Sequence, residues 1–170
     1  MYQLRPMHIQ DVEAIMALQA LCYDALLLES EASVRERLAL AANECWVATD
    51  DQGVCAYLFA YRSALGVITA LDAVFKPLTD GTCYYIHDLA VHPRVSGQGV
   101  GQSLAKHALE HAKTKGFESS ALVSVQNSGA FWQRLGFVPY TVEDALQAAH
   151  LASYHIEATY MVNPLLPKTS

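Results

Sequence analysis

Basic residues are scarce in this chain: lysine and arginine together number 11 of 170 residues, against 17 aspartates and glutamates, for a formal net charge of −6. A nucleic-acid partner needs clustered Lys and Arg facing its phosphates, so the balance speaks against that class. No block of like charges stands out either, which speaks against a polybasic membrane patch. Long apolar runs are lacking too. Nothing approaches a transmembrane length, and the opening Met1-Tyr2-Gln3-Leu4-Arg5-Pro6 has no signal-peptide stretch, so a cytoplasmic protein without a membrane partner is expected. The four cysteines are isolated: Cys22, Cys45, Cys55 and Cys83 form no Cys-x-x-Cys pair, and each sits among apolar residues. They read as buried free thiols in a reduced protein, ahead of a disulfide framework or a zinc site. His107 and His111 stand one helical turn apart, but no third ligand accompanies them, so a solvated helix face and no metal are expected. Repeats, low-complexity tracts and composition breaks are absent as well, and a single domain over residues 1–170 is expected.

What the chain does have is core material, with 52% of its residues hydrophobic and 16% charged. That suffices for a sheet with helices on both faces. Gln3–Arg5 reads as a short strand stopped by Pro6. A helix opens at Asp11 and Glu13, with Val12, Ile15, Met16, Gln19 and Cys22 at helical spacing. Ser33-x-x-Glu36 has the form of a capping box for a second helix. Cys45–Thr49 and Val54–Tyr61 flank Asp50-Asp51-Gln52-Gly53 as a hairpin. Ser63–Thr82 reads as a long loop, of the kind that often carries function. Tyr84–Val91 is a strand, and the helix after it has Val100, Leu104, Ala105, Ala108, Leu109 and Ala112 on one face, with Gly116 ending it. Ser120–Val125 is a strand and Ser128–Leu135 a short helix. Phe137–Tyr140 and Ile156–Val162 finish the sheet, and the pattern of Glu143–Ser153 decides nothing.

Chemistry concentrates in the run Tyr84-Tyr85-Ile86-His87-Asp88-Leu89-Ala90-Val91-His92-Pro93-Arg94-Val95-Ser96-Gly97-Gln98-Gly99-Val100-Gly101. A strand feeds a turn with three alternating glycines that opens into a helix. Without Cβ atoms, backbone N–H groups can converge there, and the helix start adds partial positive charge, which together make a pyrophosphate cradle. A Walker loop would end in Gly-Lys-Ser/Thr, whereas this one reads Gly99-Val100-Gly101-Gln102. A dinucleotide fingerprint would read Gly-x-Gly-x-x-Gly near the start of a βαβ unit, and here the spacing is Gly-x-Gly-x-Gly after half the chain.

The segment resembles motif A of the GNAT superfamily, the acetyl-CoA-dependent N-acetyltransferases: a strand ending Leu-Ala-Val-x-Pro, then a polar residue and Gly-x-Gly-x-Gly before a helix. Phe131-Trp132-Gln133-Arg134-Leu135-Gly136-Phe137 resembles the family's second landmark, and the element order β-α-α-β-β-β-α-β-α-β-β is similar as well. The resemblance implies an α/β fold with a mixed, mostly antiparallel central sheet, helices on both faces, and central strands ending at Val91 and Val125 that splay to admit the cofactor. It implies acetyl-CoA as cosubstrate and an amine as acceptor, attacking the thioester directly in a ternary complex; a small amine, an amino acid, an antibiotic and a protein N-terminus are all open, with a small molecule expected. A homodimer is an assembly it allows. By the same resemblance Leu89, Ala90 and Val91 present backbone groups to the acetyl and pantetheine portions, and the N–H near Leu89 polarises the thioester carbonyl. Ser96, Gly97, Gln98, Gly99, Val100, Gly101 and Gln102 hold the pyrophosphate, while Asn127 and Trp132 lie beside the pantetheine and sulfur. Arg94 can reach a phosphate or stay solvated.

This chain departs from the family pattern in three places. Ser96 stands where Arg or Gln is common, Asn127 is closer to the aromatic pair than the usual asparagine, and Trp132 stands where Tyr is common. In some relatives that Tyr protonates the leaving thiolate, a task for which an indole N–H is too poor an acid. Regular alternation puts His87 on the face of Leu89 and Asp88 on the other. A His suits removal of the amine's proton, and the arylalkylamine-acetylating branch has a His in a similar context. A hydrogen-bonded structural His fits the position equally, as does a helix or loop partner for Asp88. Tyr84, Tyr85, Tyr140 and Tyr154 can line an acceptor pocket or pack in the sheet. A non-catalytic acyl-CoA-binding sensor on the same fold is the alternative to an enzyme.

Overall fold

Apolar stretches with few interruptions dictate the centre of the molecule. In the computed structural model, which describes residues 1–166, Gly53–Ser63 forms strand β3 and Cys83–Val91 forms β4. Both strands are covered on both faces, which is why they are apolar nearly throughout. Strands β1 (Gln3–Pro6), β2 (Trp46–Asp50), β5 (Ser119–Ser124), β6 (Val138–Pro139) and β7 (Thr159–Pro164) complete a seven-stranded sheet in the order β1-β2-β3-β4-β5-β7-β6. Every neighbouring pair is antiparallel except β4 and β5. This is the mixed, mostly antiparallel α/β sheet expected; residues 167–170, counted within the expected domain, lie outside the described residues.

Each face of the sheet has its own core. Helices α1 (Val12–Cys22) and α2 (Glu31–Ala41) lay Val12, Ile15, Leu18, Val34 and Leu38 onto Tyr57, Phe59, Tyr61 and Tyr85. On the other face α3 (Val100–Thr114) packs its whole expected stripe against Ala48, Leu58, Tyr84 and Ile86, and α4 (Gly129–Arg134) adds Trp132. Burying two faces in this way supplies most of the driving force for folding, since stabilisation scales with apolar area removed from water. No helix among the described residues is long and apolar enough to cross a membrane.

Three local expectations need correction. Helix α2 starts three residues before the Ser33 capping box: Ser30 is the cap, accepting the Ser33 N–H at 3.2 Å, and the Ser33 hydroxyl instead donates to the Asp72 carbonyl at 3.1 Å. The indecisive stretch 143–153 contains α5 (Ala145–Ala152), capped by Asp144 through the Gln147 N–H at 3.0 Å. It is fixed by the long loop, since the Ile68 N–H donates to Gln147 and the Ile68 carbonyl meets His150 Nδ1, each at 2.7 Å. His107 and His111 do not sit on a solvated face. Both pack edge-on against Trp46, and His111 Nε2 lies 2.8 Å from the Glu44 carboxylate.

Candidate active site

Strand β4 carries one residue more than its partner: Phe59 pairs with Asp88 and Ala60 with Ile86, leaving His87 unmatched in a β-bulge. Before the bulge Tyr85 faces α1 and α2 while Tyr84 and Ile86 face α3; beyond it Ala90 faces α1 and α2 while Leu89 and Val91 pack on the α3 side. His87 therefore does not share the face of Leu89, as regular alternation predicts. Asp88 joins it on the α1 and α2 side, because an inserted residue inverts the period-two pattern downstream.

Pairing between β4 and β5 stops at Ile86 and Leu122, and the strands then diverge. The His92 N–H donates to the Cys55 carbonyl at 2.8 Å, and Ala90 pairs with Tyr57. Backbone groups alternate along a strand, so Ala90 turns its own toward β3 while Leu89 and Val91 turn theirs toward the opening. The end of α1 takes both carbonyls: Tyr23 Oη donates to Leu89 O at 2.7 Å and Cys22 Sγ to Val91 O at 3.1 Å. The N–H groups of Leu89 and Val91 remain turned to the cleft.

At the end of β4 the chain makes its glycine turn. Gly97 and Gly99 have φ of +77° and +78°, and a Cβ built on either would meet no atom within 4 Å. Left-handed backbone and open space coincide there, so the turn leaves room for another group to approach its backbone. Gly101 serves packing instead, since its Cβ would lie 2.9 Å from Val91 Cγ2. The amides of Gly99, Val100, Gly101 and Gln102 find no acceptor among the described residues. They border a hollow of about 380 Å³ with Ser96, Phe131 and Arg134. A pyrophosphate fits such a donor set. Arg134, not Arg94, is the cation that lines it, because Arg94 is paired with Asp50. Gln98 folds back onto the Arg94 carbonyl at 3.4 Å, outside the hollow.

Where the strands diverge, Tyr23, Leu27, Leu71, Trp132 and Tyr154 line a cavity of about 80 Å³ with His87 and Asp88 on its wall. Of the four tyrosines proposed for an acceptor pocket only Tyr154 lines it; Tyr84 and Tyr85 are core, and Tyr140 is exposed. Gln126 ties the cleft mouth together, accepting the Asp24 N–H at 3.0 Å and donating to the Cys22 carbonyl at 3.1 Å. Asn127, in a left-handed turn at φ +59°, instead opens onto a neighbouring hollow with Gly129, Gln133 and Thr159.

Two acids beside the cavity are shifted in opposite directions. Glu29, just before α2, takes Arg37 Nη2 at 2.6 Å and His87 Nε2 at 3.0 Å, with all three side chains at least 95% buried. Burial pushes the Glu29 carboxyl up, but the His87 and Arg37 contacts outweigh it and hold the group well below the usual carboxylate range. Asp88 lies 2.5 Å from Tyr23 Oη and accepts from Tyr57 Oη at 2.7 Å, and burial and the nearby Glu29 charge raise it above that range. Among the described residues His87 Nδ1 has no hydrogen-bond partner, and it is buried. Burial likewise keeps Cys45 protonated, pushing it up to about 12, and Cys83 up to about 11.

Sequence reasoning missed Tyr23, Glu29, Arg37, Tyr57, Gln126 and Arg134. Only Arg37 left a signal: it sits beside Leu38 and three residues after Val34, so a charge falls on the buried stripe of α2.

The model of the acetyltransferase (GNAT) family matches residues 12–137. An uncharacterized N-acetyltransferase of Methanocaldococcus jannaschii is 44% identical over 55 residues, 31% of this chain; the match spans about a quarter (24%) of that curated relative's length. Among solved structures, a GNAT-like decarboxylase, GphF, in complex with isobutyryl-CoA superposes with a TM-score of 0.78 at 19% identity, covering 96% of this chain and all of that one (100%). The ribosomal-protein-S18-alanine N-acetyltransferase of Escherichia coli superposes with a TM-score of 0.70 at 14% identity, covering 100% and 97% of the two chains. At such identities the structural likeness speaks for the fold alone.

Proposed function

Because the chain belongs to the acetyltransferase (GNAT) family, we propose that it is an N-acetyltransferase that passes the acetyl group of acetyl-CoA to the amine of a small molecule. The observation that carries this reading is the continuous donor track, from the free amides of Gly99–Gln102 to the N–H groups of Val91 and Leu89 turned into the cleft. Ser96 and Gly97 complete the pyrophosphate cradle, the Leu89 N–H faces the thioester oxygen, and Trp132 packs beside the acyl end. A donor aimed at developing negative charge stabilises the tetrahedral intermediate. The amine attacks the thioester directly, and holding both reactants together supplies much of the acceleration. The small cavity, about 80 Å³, favours a compact acceptor group. Its two acids are already engaged, by Arg37 and His87 and by the two tyrosines, so they offer no free carboxylate to a cationic acceptor.

Acetyl-CoA is expected to raise the Tm by mass action, whereas NAD and ATP are not. Gly99→Val, which puts a β-branched residue at a left-handed position in the cradle, is expected to abolish that shift. Thermal melts of both proteins check this; equal stabilisation by NAD, or an unchanged acetyl-CoA shift in the variant, overturns the assignment. A panel of amines with acetyl-CoA, read as released thiol, then identifies the acceptor class. One observation favours the sensor reading, namely that His87 is locked against Glu29 rather than free in the cavity. Tight acetyl-CoA binding with no amine acetylated would decide for it.

Direct attack also predicts that no acetyl-enzyme forms. Cys22 borders the slot along Leu89–Val91, but burial raises its thiol above the ordinary value, and a neutral thiol is a poor nucleophile. Mass spectrometry of the protein mixed with acetyl-CoA is expected to show no adduct, and Cys22→Ala to retain turnover. An acetyl group on Cys22 would reverse this mechanism.

A further inference from the structure

We propose that Tyr23, with Asp88 behind it, is the acid that returns a proton to the departing sulfur of coenzyme A. The inference rests on the acyltransferase reading and supplies the group that Trp132 cannot. Tyr23 follows the last turn of α1 in extended conformation. It borders both the slot along Leu89–Val91 and the cavity at its inner end, so it stands at their junction. There the thioester must lie if the pantetheine runs along β4.

Counting protons identifies the relay. Three oxygen–oxygen contacts converge: Tyr23 Oη to Leu89 O at 2.7 Å, Tyr23 Oη to Asp88 Oδ1 at 2.5 Å, and Tyr57 Oη to Asp88 Oδ2 at 2.7 Å. Each needs one proton. The two phenols supply two, and a carbonyl oxygen supplies none. The third therefore belongs to Asp88, whose carboxyl donates to Tyr23 while Tyr23 donates to Leu89 O. The upward shift of Asp88 has the same sense. Its surroundings come from every side: Tyr23 and Cys22 from the end of α1, Glu29 and Arg37 from α2 and the residues before it, Tyr57 from β3, His87 from β4, and Tyr154 after α5.

The balance closes without a further reactant. The amine nitrogen forms its bond to the carbonyl carbon and the carbonyl π pair moves onto oxygen; when this tetrahedral intermediate collapses, the C–S bond breaks and its electron pair leaves on sulfur. Tyr23 swings its proton from Leu89 O to that sulfur, and the Asp88 proton refills the phenol. The proton shed by the new amide nitrogen returns, through water in the cavity, to the Asp88 carboxylate. The net transfer is one proton from amine to thiol.

The test uses coenzyme A itself, so it needs no acceptor. Wild type and Tyr23→Phe are titrated with coenzyme A by calorimetry, and the thiol of the bound coenzyme is then titrated by its ultraviolet thiolate absorbance. Expected are similar affinities, with the bound thiol ionising about one pKa unit higher in the variant, because a donor to the thiolate is gone. Equal thiol titrations in the two proteins overturn the proposal while leaving the acyltransferase reading intact. Failure of the wild type to bind coenzyme A removes both. Should Tyr23→Phe fold poorly, 3-fluorotyrosine at position 23 preserves the shape and makes a stronger acid. It is expected to move the bound thiol's ionisation down, and no movement overturns the relay. In turnover with an amine from the panel, Tyr23→Phe is expected to lose roughly 10²-fold in kcat. Asp88→Asn is expected to lose the limb on the alkaline side of the pH–rate profile, since an acid must be protonated to act. An Asp88→Asn profile identical to wild type removes Asp88 from the relay.

Discussion

Glu29→Gln is expected to destabilise the protein by about 3–5 kcal/mol, the cost of removing one partner from a buried charge pair. The substitution keeps the shape of the side chain but leaves the buried Arg37 guanidinium without a counter-charge and His87 without its carboxylate partner, each side chain being 2% exposed. Arg37 keeps the Ala73 carbonyl, which accepts from Nε at 2.9 Å and Nη2 at 2.6 Å, but that oxygen carries no full charge. A control isolates the effect of burial. Glu31 pairs with Arg35 at 2.7 Å on the exposed face of the same helix, and Glu31→Gln should change stability by no more than about 0.5 kcal/mol. Denaturation midpoints of the two variants give the comparison, and equal losses would show that the cluster contributes nothing special.

The same pair sets a pH dependence whose sign follows from the two shifts. Glu29 is held below its unfolded value, so its contribution is present above the ordinary carboxylate range and lost as the pH falls below it. Asp88 is raised, so its contribution is present below the ordinary range and lost as the pH climbs through its higher folded value. Glu29→Gln should therefore flatten the rise in stability on the acid side. Asp88→Asn should remove a decline on its alkaline flank. Denaturation series across pH read both.

His87→Gln is expected to lower kcat by the order of 10²-fold, with acetyl-CoA affinity nearly unchanged, if His87 takes the proton of the incoming amine. The structure adds a constraint that the sequence did not suggest. Nε2 faces Glu29, so a neutral ring carries its proton there and leaves Nδ1 as the acceptor, the one ring nitrogen without a partner. An unpaired buried nitrogen costs about 1–3 kcal/mol, and a water or the amine itself would satisfy it after a small opening of the cavity. Glutamine can still donate to Glu29, so the fold should survive, and steady-state kinetics beside calorimetric binding of acetyl-CoA separate the two effects. Turnover equal to wild type would make His87 purely a structural partner of Glu29.

The sequence alone determined a good deal, because local rules govern it. The glycine spacing Gly97-x-Gly99-x-Gly101 between a strand and a patterned helix admits few ligands; Gly97 and Gly99 do leave the turn open where a Cβ would stand, whereas Gly101 is set by packing against Val91. The stripe on α3 and the apolar character of β3 and β4 were legible for the same reason: period and burial are properties of single segments. The divergence of β4 and β5 followed from resemblance, and the strands do part after Ile86 and Leu122.

Only the tertiary structure decided the rest. A bulge leaves no mark in a single strand's alternation, since it is defined by the count of residues opposite; yet the one at His87 turns Asp88 inward and sends Leu89 to the other face. The start of α2 depended on Asp72, which receives the Ser30 N–H at 2.9 Å across 42 positions of sequence. Tyr23, Glu29 and Tyr57 meet His87 and Asp88 across separations of 31 to 65 positions. Charge and hydrogen bonding act through space, and their strength depends on burial that no local pattern encodes. The glycine turn was thus written in consecutive residues, whereas the buried titratable groups beside it were assembled only by the fold.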